Sequence, residues 1–186
     1  MRSLSYHEAV PGHHFQLGIQ SELTDLPKFR VHRVFDGGNA YIEGWALYAE
    51  RLAVENNWYE GDIPGLLGAL NAELFRARRL VVDTGLHAKG WTRQQGIDFG
   101  IPPHEVERYI TWPGQACSYM IGMLHILDLR EKAKLALGSK FSLPEFHDVV
   151  LRAGSVPLDV LTQVVDRWTA AQGGVTPAKQ ASVLAP

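Results

Sequence analysis

A chain of 186 residues with 46% hydrophobic and 20% charged content has the make-up of one soluble globular domain with a sizeable core. A net charge of −2 gives nucleic acid or an anionic membrane surface nothing to bind. The lone Cys117 excludes an internal disulfide framework and a thiolate zinc cluster, and no apolar run approaches the roughly 20 residues that span a bilayer.

The periodicity is helical throughout. Residues 3–22 read as a helix interrupted at Pro11-Gly12, followed by a loop at 24–39 with Pro27 and the Asp36-Gly37-Gly38-Asn39 turn signal. A second helix fits 40–57, where Ala46, Ala49 and Ala53 allow close packing. A long helix runs from Ile63 to about His87, with Leu66, Leu67, Leu70 and Leu74 at helical intervals. Thr92-Arg93-Gln94-Gln95 reads as a capping box, and Pro102-Pro103 opens a short segment ending near Thr111-Trp112. Pro113 is placed in the first turn of a helix to about Leu137, closed by Gly138. Ser142-Leu143-Pro144-Glu145 caps 143–153, ended by Gly154, and Ser155 with Pro157 starts a last helix to Gln172. The expectation is an all-α domain over 1–172 with a frayed tail over 173–186.

Chemistry concentrates near the start, in His7-Glu8-Ala9-Val10-Pro11-Gly12-His13-His14 and the downstream Glu43-Gly44-Trp45. Neutral imidazoles and carboxylates are ordinary zinc ligands, and an adjacent unliganded Glu can act as general base. The spacing is wrong for HExxH, whose His residues lie one turn apart on one face. On an ideal helix His7 and His14 share a face but sit ~10.5 Å apart along the axis, and His13 points about 120° away from His7. Either pairing needs a broken helix. Pro11 supplies the break, because it lacks the N–H that would bond the His7 carbonyl, and Gly12 tolerates the dihedrals of a bulge. Two looped-out residues would bring His13 to the second ligand position and three would bring His14, which makes His13 the first choice and His14 a close second.

Glu8 is the candidate base, accepting a proton from water that the ion has acidified. Glu43 is the third-ligand candidate, and Glu50, on the same helix face, is either an outer partner or simply exposed. Arg76, Asp83 and His87 form a polar stripe, in which Asp83 and His87 at i, i+4 can pair and His87 can face an oxyanion. Tyr109 and Tyr119 flank Trp112-Pro113-Gly114-Gln115 and offer phenolic donors or, more ordinarily, core packing. His32, His104, His125 and His147 have no partner spacing and receive no role.

Four segments, 7–16, 43–50, 82–87 and 112–119, resemble in order the successive blocks of the bacterial domain-of-unknown-function 885 family. That family is similar to the all-helical gluzincin peptidases, the class of angiotensin-converting enzyme and the oligopeptidases. The resemblance implies a helical zincin-like domain, the C-terminal half of a larger two-half fold. It also implies Zn2+ held by His7, His13 or His14, and Glu43, with Glu8 as base and His87 and Tyr119 contacting substrate or oxyanion. The expected function is a zinc-dependent metallopeptidase acting on short peptides. The alternatives are a non-catalytic helical module that pairs with itself or with a missing N-terminal half, and a metal-dependent hydrolase of a non-peptide small molecule. No signal segment precedes the motif, which leaves the compartment open between cytoplasmic and, with a longer N-terminus, exported.

Overall fold

The computed structural model describes residues 2–31 and 38–173, and among them every regular element is helical. His32, the Asp36-Gly37 half of the expected turn and the tail from residue 174 lie outside the described residues. The α-helices are α1 Arg2–Glu8, α2 His13–Glu22, α3 Lys28–Val31, α4 Asn39–Glu55, α5 Ile63–Lys89, α6 Arg93–Asp98, α7 Pro103–Thr111, α8 Ser118–Leu137, α9 Leu143–Arg152 and α10 Leu158–Ala171.

The centre of the molecule is α4, buried without interruption from Gly44 to Glu50. Apolar and small residues on all its sides make it a core helix rather than an amphipathic one. It crosses α8 at a point where both helices carry glycine. A Cβ on Gly44 would lie 2.4 Å from the Gly122 Cα, and a Cβ on Gly122 would lie 1.8 Å from the Ala40 carbonyl oxygen. The two backbones therefore touch. Trp45, Tyr48, Met123 and Ile126 share the surrounding core with Phe146 and Val150 of α9 and Leu161 and Val165 of α10. A smaller core of Val82, Ile101, Val106, Tyr109 and Ala116 joins the end of α5 to α6 and α7. Ala53, Tyr59 and Ala69, with Tyr6 against them, form a third cluster that ties α1 to α4 and α5.

Three local expectations need correction. The stretch 24–39 contains a short helix, α3, after Pro27. Pro113 does not open α8, because Gly114 adopts φ 80° and a 3₁₀ turn, Gln115–Cys117, intervenes. The cause is tertiary: the buried Asp83 carboxylate accepts the Gly114 N–H at 3.0 Å and draws the chain out of the helix. At Ser142 only half of the box forms, with the hydroxyl accepting from the Glu145 N–H at 3.4 Å. The Thr92 box is complete, with the Gln95 side chain accepting the Thr92 N–H at 2.7 Å.

A buried polar contact beside Trp45 has a consequence for stability. Tyr48 Oη donates to His147 Nε2 at 2.8 Å and accepts from Arg130 at 3.2 Å. Burial and the nearby Arg130 charge push His147 down to about 4, from an ordinary value of 6.5. The neutral ring is thus preferred in the fold, while the unfolded chain takes up a proton below 6.5. Stability should fall as pH falls from 6.5 towards 4, and His147→Gln should flatten that slope. Urea denaturation midpoints across this range measure it, and an unchanged slope in the variant refutes the assignment.

Candidate metal centre

The break between α1 and α2 rests on one missing donor and two contacts. Pro11 cannot donate to the turn before it, and the Val10–Pro11 peptide is cis. The freed Pro11 carbonyl accepts the Trp45 indole N–H at 2.8 Å, which pins the loop to α4. Gly12 then lies against the end of α1, where a Cβ would come within 1.8 Å of the His7 carbonyl oxygen. Only glycine fits there.

This loop lays α2 beside α1 and turns His13 back over His7. Their ring centroids are 4.8 Å apart and edge-to-face. Glu43 enters from α4: its Oε2 is 3.3 Å from His13 Nε2 and 3.7 Å from His7 Nε2. One potential ligand atom from each of His7, His13 and Glu43 lies within 4.8 Å of the others. Two imidazoles and one carboxylate are a donor set suited to zinc. The three residues of Glu43-Gly44-Trp45 divide the work between them. Glu43 brings its carboxylate to the centre, Gly44 meets Gly122, and Trp45 anchors the loop.

The cluster is electrostatically committed. Burial alone would raise Glu43, but hydrogen bonds from His13 and His7, with a smaller contribution from Tyr119, hold it down at about 2. Burial disfavours a charged His7, yet hydrogen bonds to Glu43 and Glu50 outweigh it and raise His7 above its ordinary value. The site therefore carries an ionised carboxylate between two imidazoles.

Glu50 is not exposed. It is 4% accessible, with its Oε1 2.8 Å from His7 Nδ1 and 3.4 Å from Arg76 Nη2, and its Oε2 accepts from the Ser3 hydroxyl. A cavity of about 180 Å³, lined in part by Ser3, Gly68, Ala72 and Arg76, reaches this carboxylate from between α1 and α5. The spacing of Glu43 and Glu50 was the available signal for this second carboxylate. Nothing in the sequence pointed to Ser3.

The remaining candidates divide. Glu8 ends α1 next to His7, exposed, with its carboxylate in no hydrogen bond or ion pair among the described residues. His14 is exposed and outside the cluster. The Tyr119 ring stacks on His7 with centroids 6.2 Å apart, and its hydroxyl accepts from Gln115 at 3.3 Å. Tyr109 is a fully buried core residue. The expected Asp83–His87 pair does not form, because Asp83 accepts from Gly114 and His87 Nε2 donates to the Tyr109 carbonyl at 2.9 Å. His87 sits eleven residues beyond Arg76, about 16 Å along α5, so the structure does not bring it to the cluster.

Residues 1–165 match the family described as "Bacterial protein of unknown function (DUF885)". The chain is similar to the crystal structure of a presumed lipoprotein from Colwellia psychrerythraea, with 52% identity and a TM-score of 0.85 over 91% of this chain and 30% of that one. It is also similar to a presumed lipoprotein of unknown function from Shewanella oneidensis, with 29% identity and a TM-score of 0.73 over 88% of this chain and 31% of that one. The chain thus spans about a third of the length of either solved relative. No curated protein matches it.

Proposed function

The chain belongs to the bacterial DUF885 family, and from that premise we propose that it is a zinc-dependent metallohydrolase, a peptidase of gluzincin type acting on short peptides. The observation that carries this reading is the convergence of His7, His13 and Glu43 from three helices onto one point. A zinc ion held by these residues would supply a Lewis acid that polarises a carbonyl and acidifies water.

The chain's own groups supply the rest. Glu8, unpaired among the described residues and beside His7, is the base that takes a proton from the attacking water and later passes it to the leaving amine. The Tyr119 hydroxyl, which accepts from Gln115 and lies beside Glu43, would turn its proton from Glu43 to the oxyanion. His87 receives no role in this proposal, since it lies about 16 Å along α5 from Arg76 and its Nε2 donates to the Tyr109 carbonyl. The likeness to two presumed lipoproteins supports the exported of the two compartments. Among the described residues no helix is long and apolar enough to cross a membrane.

Elemental analysis of zinc-reconstituted protein, together with peptide-library hydrolysis by wild type and Glu8→Gln, tests the proposal. The variant should keep its zinc and lose roughly 10²–10⁴-fold in rate, the usual share of a general base. Failure to take up zinc, or full activity in the variant, rejects it. Hydrolysis of small non-peptide esters or amides in place of peptides would keep the chemistry and change the substrate class.

One observation favours a second reading, an interaction module. Along α5, Ile63 and Leu67 are 79% and 58% exposed, and Leu70 and Leu74 continue the same apolar stripe. A stripe of this kind on a soluble chain is a docking surface for another helix. Size-exclusion chromatography with light scattering separates the readings, because an obligate oligomer without zinc or hydrolysis fits the module alone.

A further inference from the structure

We infer that Glu50 is a positioning residue: held by Arg76 and Ser3, it accepts a hydrogen bond from the His7 Nδ1–H and so presents the Nε2 lone pair to a metal. This deepens the metal-centre reading and rests on it. A neutral imidazole ligates through one nitrogen only if the other carries the proton, and a carboxylate partner at that second nitrogen sets the tautomer and the ring plane.

The geometry assigns the two nitrogens of His7 separately. Nδ1 is 2.8 Å from Glu50 Oε1, whereas Nε2 faces Glu43 Oε2 at 3.7 Å. Glu50 is itself over-determined. Its Oε1 lies 3.4 Å from the Arg76 guanidinium of α5, and its Oε2 accepts from Ser3, one helical turn before His7 on α1. A buried carboxylate held from three sides cannot rotate away, so the orientation passes on to the imidazole. Arg76 acts through Glu50, which gives the polar stripe of α5 a role that its spacing alone did not reveal.

His13 provides the contrast within the same site. Its Nδ1 is buried with no hydrogen-bond partner among the described residues, and its Nε2 faces Glu43 Oε2 at 3.3 Å, so no outer carboxylate backs this ring as Glu50 backs His7. One ligand is pre-oriented and the other is free to adapt. Loss of Glu50 should therefore act on the site through His7 alone.

The test uses the intact chain and two readouts. In metal-free protein, at a pH where the ring is neutral, ¹⁵N NMR should show His7 protonated on Nδ1; a proton on Nε2 overturns the inference. Glu50→Gln should weaken zinc binding about 10–100-fold in a chelator competition while its far-ultraviolet circular dichroism stays that of wild type. Unchanged affinity overturns the inference. Should that variant fail to fold, Arg76→Met frees one side of the carboxylate and should weaken zinc binding less, with Arg76→Lys restoring it; equal affinities of Arg76→Met and wild type again overturn the inference. If wild type takes up no zinc, the metal-centre reading fails, and the tautomer measurement still decides the place of the His7 proton.

Discussion

Glu43→Ala is expected to weaken zinc binding by more than about 100-fold, beyond the ~10–100-fold that loss of an outer partner costs. The carboxylate is the only anionic donor among His7, His13 and Glu43, and its neighbours hold it ionised down to about pH 2. Without it, two facing imidazoles with centroids 4.8 Å apart remain as the only ligands. His14→Ala is the matched control. Its ring is exposed and outside the cluster, so it should bind zinc as wild type does, whereas His13→Ala should resemble Glu43→Ala. Competition with a chromophoric chelator reads all three. Loss in His14→Ala with retention in His13→Ala would move the second ligand by one residue and overturn the assignment.

The second large effect concerns the fold that carries the site. Gly122→Val should destabilise by at least the ~1–3 kcal/mol typical of overpacking, and at the upper end or beyond. A Cβ there meets the Ala40 carbonyl at 1.8 Å and the Gly44 Cα at 2.7 Å, so the obstacle is backbone, which cannot move aside as a flexible side chain can. Relief requires α4 and α8 to separate. That separation displaces Glu43, one residue from the crossing, from the α1–α2 loop, and it pulls on the Trp45–Pro11 hydrogen bond. The variant should therefore lose zinc affinity together with thermal stability, even though Gly122 touches no ligand. A shift in melting temperature with unaltered zinc binding would show that the crossing and the site are independent.

The contrast between these two substitutions separates what was readable along the chain from what was not. His7, the His13-His14 pair and Glu43 could be singled out because their chemistry is local: ligand types, a proline-glycine break and a helix that follows. The Thr92 capping box was equally legible, since its hydrogen bonds run between residues three apart. Asp83 was legible as a polar position but not in its partner. Helical spacing offered His87, and the tertiary fold supplied the Gly114 N–H, which satisfies a buried carboxylate without another titratable group. Glu50 stayed ambiguous for the same reason, because burial depends on what α1 and α5 bring to it.

By itself the sequence determined an all-α chain and the place of the helix break, and it offered the His and Glu residues that the fold gathers into one cluster, because capping, periodicity and proline chemistry act over a few residues. Only the tertiary structure decided that His13 rather than His14 turns inward, that Glu50 backs His7 and that His87 lies elsewhere. The first outcome depends on Gly12 fitting against α1 and on Trp45 anchoring the loop at Pro11, the second on Ser3 and Arg76, and the third on the Tyr109 carbonyl. Contacts between residues far apart in the chain obey packing and hydrogen-bond satisfaction, and no periodicity records them.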